Sequence, residues 1–350
     1  MPITPNLAPA DGIQRDLYTG MAGEIVADDL CVYEQISAPW EVLTTPKDRK
    51  PFGHRKSYLI SPSVILYRES FDSSIHSQGL TPAGMLCVSL PLRLGAHSSY
   101  WNASPREAAL PASLPGALDV VLDAGQEHLI VLVNLVLIRK TWPAYIVRSI
   151  EHALASRWLP AHSGAVERLA SWLLMVLETA HQQPECFRQS ASVHAFEAEL
   201  LDRLAQTVQL PPAKAIRSDA THRERGLARA IEYMRENDAA LVTVPQLCLA
   251  ANVSQRTLEY AFRDAFGLTP IGYLRLHRFH LARNCLLAAR PERESVTNIA
   301  YRAGFFELGR FSGTYRSLFG ERPSDTLRRC SPAGQGLPPS LQRIQSLGQF

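Results

Sequence analysis

Between Val244 and Arg329 the chain carries one pattern twice. The run VPQLCLAANVSQRTLEYAFRDAFGLTP is answered by VTNIAYRAGFFELGRFSGTYRSLFGERP. Leu258, Phe262 and Phe266 recur at helical spacing, and Phe311, Tyr315 and Phe319 repeat them 53 positions later. Gly267 and Pro270 are matched by Gly320 and Pro323 at the same offset. Agreement at so many spacings marks two copies of one small supersecondary unit, each a short helix, a turn and a longer amphipathic helix.

That unit reads as a helix-turn-helix. Asn252 and Gly304 fall between the two helices of each copy, where a sharp turn wants a residue that tolerates positive φ. Ser254 is placed to cap the second helix of the first copy, with Val253 and Leu258 at the two positions of a hydrophobic staple. Burying Leu258, Ala261, Phe262, Ala265 and Phe266 leaves Gln255, Arg256, Glu259, Tyr260 and Arg263 facing outward. Those side chains donate, accept and stack, as a reader of base edges in the major groove must. Between the copies, Ile271 to Ala289 reads as one long helix of ~28 Å at 1.5 Å per residue. It would hold two reading helices within reach of successive grooves on one face of B-DNA, whose repeat is ~34 Å.

The pattern formed by Leu258, Phe262, Gly267, Pro270, Tyr273, Arg278, Ala282, Ile299, Ala300, Gly304, Phe305, Phe311, Gly320, Pro323 and Arg328 resembles the AraC/XylS family of bacterial transcription regulators. The resemblance covers roughly residues 222 to 330. It implies a DNA-binding domain of two helix-turn-helix units joined by a helix, double-stranded DNA and RNA polymerase as partners, and base contacts in the first unit from Arg256, Glu259 and Tyr260. In the second unit the resemblance places the contacts on Leu308, Gly309, Arg310 and Gly313, a set poor in hydrogen-bonding groups, so the first unit is expected to read sequence and the second mainly to position. Leu327 departs from the pattern, where the family usually has Tyr, and is expected to alter packing at the end of the last helix rather than function. Locally, VTVPQLCLAANVSQRTLEYAF and GFFELGRFSGTYRSLFGERPSDTL look like the family's ethanolamine-utilisation regulators.

Charge supports the division. The net charge of +3 is uninformative, but residues 222–330 hold 17 Arg, no Lys and 11 acidic residues, against 19 basic and 22 acidic elsewhere. A basic domain joined to a mildly acidic one fits a nucleic-acid binder with a separate sensing module. With 350 residues, 46% of them hydrophobic, there is room for both. The six cysteines form no C-x-x-C pair, the first residues show no basic-then-apolar signal pattern, and the apolar run Leu129 to Ile138 is too short to span a bilayer. The expectation is a cytoplasmic protein without membrane contact.

Ahead of the DNA-binding domain, residues 1–29 read as a loose segment and 30–210 as a ligand-sensing domain. Short β-like runs at Trp40–Thr45, Lys56–Ile60, Val64–Arg68, Met85–Leu90, Leu118–Leu122 and Leu129–Leu137 point to a β-rich sandwich or barrel. The resemblance likens such a domain to a cupin. Helical runs follow at Ala144–Leu159, Ser163–Thr179 and Val193–Val208. In the last, the stripe Phe196, Leu200, Leu204, Val208 fits either a core helix or a self-association face of a homodimer. A linker at 211–221 and a disordered tail at 331–350 complete an α+β chain with an all-α C-terminal domain.

A small-molecule effector is expected in the β-rich domain, with Trp40, Tyr58, Tyr67, Arg68, Glu69 and Trp101 as aromatic walls and charged groups around it. No metal or other cofactor is expected: His54, Glu69, His76 and His97 lack the H-x-H spacing of metal-holding cupins. The chain is therefore read as a ligand-controlled transcriptional activator and not an enzyme. Two rivals are an alkyl-accepting cysteine protein and a DNA binder without effector. The first is weakened by Pro184-Glu185-Cys186-Phe187, which lacks a neighbouring His and Arg to activate the thiol.

Overall fold

The computed structural model describes residues 18–37, 39–106, 108–209, 222–237, 241–291 and 293–328; the expected linker at 211–221 and tail at 331–350 lie outside them. The front half is built on two antiparallel sheets. The larger runs β1 (Met21–Ala27), β3 (His54–Ile60), β4 (Val64–Phe71), β10 (Glu127–Asn134), β6 (Met85–Arg93), β8 (Ala109–Ser113) and β11 (Trp158–Pro160). The smaller runs β2 (Glu41–Pro46), β5 (Ile75–Leu80), β9 (Ala117–Leu122) and β7 (Ser99–Tyr100), and α1 (Leu30–Ile36) joins β1 to β2.

The period of two along a strand explains the cores. On β10, Leu129, Val131 and Val133 face one way, into a core shared with α4 (Ala165–Gln182) and α5 (Ser190–Thr207). Ile130 and Leu132 face the other way, into the space between the sheets. Both faces of this strand are buried, so its sequence is continuously apolar rather than alternating. Phe196, Leu200, Leu204 and Val208 lie in the first of these cores, against the sheet.

Several elements differ from the sequence reading. β1 lies within the segment expected to be loose. β5 (IHSQGL) is rich in polar residues and glycine, so it carries little strand signal. The apolar run through Leu137 ends as a strand at Asn134, whose side chain accepts from Val136 N and starts α2 (Leu135–Thr141). Helix α3 (Ala144–Ala153) stops short of the expected end; after a 3-10 turn, Arg157 at φ 60° reverses the chain, and Trp158–Pro160 pairs with β8 instead of continuing as helix.

The back half is helical: α6 (His222–Glu236), α7 (Val244–Ala251), α8 (Gln255–Phe266), α9 (Pro270–Ala288), α10 (Val296–Arg302), α11 (Leu308–Phe319) and α12 (Pro323–Arg328). Helices α7 and α8 form the first helix-turn-helix, α10 and α11 the second, and α9 joins them. Asn252 and Gly304 have φ of 52° and 82°, and Gly267 and Gly320 close their helices at 66° and 76°. Each unit has its own core, one around Leu258, Phe262 and Phe266, the other around Phe311, Tyr315 and Phe319. The first core also takes in Leu43, Leu80 and Ala117 from the small sheet. No helix among the described residues is long and apolar enough to cross a membrane.

Candidate nucleic-acid interface and ligand cavity

The first reading helix is set by its ends. Ser254 Oγ accepts from Thr257 N at the start, and Gly267 in the left-handed region ends it. With Leu258, Ala261, Phe262, Ala265 and Phe266 buried, Gln255, Arg256, Tyr260 and Arg263 are exposed and Glu259 is half-buried. These side chains pair one turn apart. Gln255 Nε2 donates to Glu259 Oε1 at 3.0 Å, and Arg256 Nη2 donates to Tyr260 OH at 3.3 Å. Arg256 also stacks over the Tyr260 ring, 5.6 Å from its centroid. The pairing limits the rotamers of the guanidinium before any contact is made.

The second reading helix offers less chemistry. No side chain caps it at Glu307, and Arg310 is tied to Glu307 at 2.9 Å on the surface. Gly309 and Gly313 are exposed, and a Cβ at either would meet nothing within 4 Å. Leu308 is half-buried. At its N-terminal side the exposed Phe306 stacks on Tyr301, with centroids 6.1 Å apart.

Between the two sheets of the front half lies a cavity of about 60 Å³. Four expected residues line it: Trp40, Tyr67, Glu69 and Trp101. Arg68 and Tyr58 do not. On β4, Tyr67 and Glu69 point inward and Arg68, between them, points out, where it is exposed and pairs with Glu127. Tyr58 is buried lower in the inter-sheet core, its ring lying across Gly23 on the neighbouring strand. Reasoning from the sequence missed Tyr33, Lys56, Tyr100 and His128, which also line the cavity.

Buried polar groups converge on Glu69. His128 Nε2 is 2.8 Å from Oε1; His54 Nε2 and Lys56 Nζ are 3.0 and 3.5 Å from Oε2. The network assigns the tautomer of His128: Gln126 Nε2 donates to Tyr100 OH, which donates to His128 Nδ1, leaving Nε2–H to donate to Glu69. Burial alone would raise the Glu69 carboxyl. Lys56 and the hydrogen bonds from the two histidines overcome it and hold Glu69 well below the usual carboxylate range. The stability this contributes is present above the ordinary value near 4.5 and is lost as pH falls through the depressed one. Burial lowers Lys56 and His54, with Glu69 opposing in both. Burial pushes Tyr100 up to about 12.

Two polar groups of the cavity lining are left over, the Trp40 N–H, which can only donate, and the Ser113 hydroxyl, which can donate or accept. Trp40 Nε1 and Ser113 Oγ have no hydrogen-bond partner among the described residues, lying beside Tyr67 and Cys87 without reaching bonding geometry. Of the other histidines, His76 pairs with Asp119 at 2.7 Å and His97 is exposed. Among the described residues, no group of three or more His, Cys, Asp or Glu could hold a metal ion. Cys186 sits in a 3-10 turn with Gln183 Oε1 3.6 Å from its sulfur.

Comparison with known proteins follows the same division. The family described as "Helix-turn-helix domain" matches residues 247–329. A probable thc operon regulatory protein of Rhodococcus erythropolis is 40% identical over 104 residues, 29% of this chain and 31% of that one. The XylDLEGF operon transcriptional activator of Pseudomonas putida is 39% identical over 102 residues, 29% of this chain and 32% of that one. The C-terminal domain is of the AraC/XylS type. The solved structure of a probable AraC family transcriptional regulator from Rhodopseudomonas palustris CGA009 is 33% identical and covers 31% of this chain and 98% of that one, with a TM-score of 0.28. The chain spans about a third of the length of each of these two relatives. Neither carries a name that supports the narrower likeness to ethanolamine regulators.

Within the AraC/XylS-type domain, positions of the family pattern do structural work. Arg278 Nη2 donates to Val242 O at 2.9 Å, tying α9 to the segment before α7. Leu327, the departure from the pattern, is buried in the second core beside Phe319, a packing position away from the reading faces.

Proposed function

We propose that the chain is a transcriptional activator controlled by a small molecule. Its AraC/XylS-type domain engages double-stranded DNA through α8 and α11, with Gln255, Arg256, Glu259, Tyr260 and Arg263 reading bases and Leu308, Gly309, Arg310 and Gly313 seating the second unit. The effector occupies the cavity beside Trp40, Tyr67, Glu69 and Trp101, and RNA polymerase is the partner that the resemblance supplies. Such a protein works in the cytoplasm, binds DNA without turning over a substrate, and needs no cofactor.

One observation carries this reading. Two 12-residue helices, each closed by a left-handed glycine, sit at the two ends of one 19-residue helix, and both turn an outward face to solvent. A helix of that length spans ~28 Å, close to one turn of B-DNA. The cavity adds aromatic walls and a few fixed polar groups, the usual make-up of a small-molecule site.

The decisive experiment is selection of duplexes from a random pool by the full chain, followed by footprinting on the winners. Two protected major-groove segments on one face, about one helical turn apart, are expected. Protection of a single segment, or no enrichment at low salt, would reject the proposal.

A further inference from the structure

The small sheet is a wall with the cavity on one side and the DNA-binding domain on the other. On β2, Val42 lines the cavity while the next residue, Leu43, packs into the core of the first helix-turn-helix. On β5, Ser77 faces the cavity and Gln78 Nε2 donates to Phe266 O, the last residue of α8, at 2.7 Å. On β9, Leu118 and Val120 face in while Ala117 joins the same helical core. One strand thickness separates a bound molecule from the domain that would read DNA.

Helix α1 closes this wall and reaches further. Its Tyr33 and Ser37, the residue just after it, line the cavity, and Lys56 Nζ donates to Ile36 O at its C-terminal end from 3.4 Å. From the opposite side of α1, Glu34 Oε1 lies 3.0 Å from His280 Nδ1, and from the residue just before the helix, Asp29 Oδ1 lies 3.5 Å from Arg283 Nη2. Both partners, His280 and Arg283, stand in the middle of α9, and both also touch Phe319 at the end of α11. So one short helix is tied to the connector at the point where the connector meets the second unit.

That hold is poorly satisfied. Arg283 is 3% exposed, yet its Nε and Nη1 have no hydrogen-bond acceptor among the described residues, and neither ring nitrogen of His280 reaches hydrogen-bond geometry. Buried donors without acceptors raise the free energy of the docked arrangement relative to one in which water reaches them. A contact of this kind is close to balance, and a modest difference in ligand affinity between docked and released forms can tip it.

We propose that α1 is a latch on the DNA-binding domain, released from the cavity through Lys56. This rests on the effector reading above and gives it a route. A ligand bearing a hydrogen-bond acceptor, such as a carboxylate or carbonyl oxygen, competes with Ile36 O for the Lys56 ammonium. Withdrawal of that tie loosens the end of α1, weakens the Glu34 and Asp29 contacts, and frees α9 and α11 to adjust to DNA.

The test uses the full chain and two readouts: backbone hydrogen exchange over residues 278–286, and affinity for a duplex selected by the wild-type protein. The pair Asp29→Asn with Glu34→Gln opens the latch directly, and Lys56→Met cuts the tie from the cavity side. Both are expected to speed exchange over 278–286 at least threefold and to tighten duplex binding at least threefold. Melting by circular dichroism checks each fold, and Lys56→Gln, too short to span from Glu69 to Ile36, replaces Lys56→Met if that variant does not fold. Unchanged exchange in either folded variant overturns the latch; faster exchange with unchanged affinity overturns its regulatory role. If the wild type binds no duplex, the DNA reading fails, and the exchange data still decide whether cavity and connector are coupled.

Discussion

Phe266 and Phe319 occupy equivalent places 53 residues apart, and both are buried in the cores of their units. The outward faces of the same two helices have little in common. One presents Gln255 paired with Glu259, Arg256 paired with Tyr260, and Arg263 beyond them; the other presents two bare glycines and an arginine held by its own neighbour. Packing fixes the interior of a helix-turn-helix, because a changed volume is felt at once. Nothing inside the molecule constrains the surface, so it is free to follow what it touches. The two copies share a scaffold and differ in the face they present.

The largest effects should show the likeness. Phe266→Ala and Phe319→Ala are each expected to destabilise the protein by about 3–5 kcal/mol in denaturant titration. A gap between them above about 2 kcal/mol would mean that the units are not equivalent inside. The difference should appear next, in DNA binding. Arg256→Ala is expected to weaken selected DNA by about 1–3 kcal/mol while leaving random DNA little changed, if the guanidinium is bidentate to a guanine. Arg310→Ala is expected to weaken both alike, as a phosphate contact does. Sequence-selective loss from Arg310→Ala would reverse the proposed division of labour.

Smaller effects sharpen the picture. Ser254→Ala removes a cap and should lower stability by about 1 kcal/mol, whereas Glu307→Ala, where no side chain caps the helix, should fall within about 0.5 kcal/mol of wild type. Gly309→Ala should stabilise the free protein slightly, by at most about 1 kcal/mol, because the added methyl meets nothing. Weaker DNA binding by that variant would show that backbone approaches backbone there. Unchanged binding would leave Gly309 with no contact to DNA.

The helical half was largely legible because its signals are local. Asn252, Gly304, Gly267, Gly320 and Ser254 mark turns and caps through their own conformational preferences, and the repeat confirms the frame. The front half was legible only in outline. Its strand-rich character follows from short apolar runs, but β5 and β11 are held by pairing partners distant in sequence, which no local pattern reveals. The cavity shows the same limit at single residues. Tyr67, Arg68 and Glu69 are all plausible pocket groups as a run, and only the strand's alternation decides that the middle one is outside. Lys56 and His128 had no distinguishing neighbours; they matter because β3, β4 and β10 bring them to Glu69.

The pleat of β2 has a further implication for how such a protein can change. Val42 and Leu43 are adjacent in the gene, yet one borders the space where an inducer would sit and the other the domain that would grip the chromosome. A lineage acquiring a new chemical preference can alter every second position of that strand and leave the grip intact. The reverse drift is equally open, so what is detected and how firmly the detector is held can be tuned by neighbouring codons without interfering.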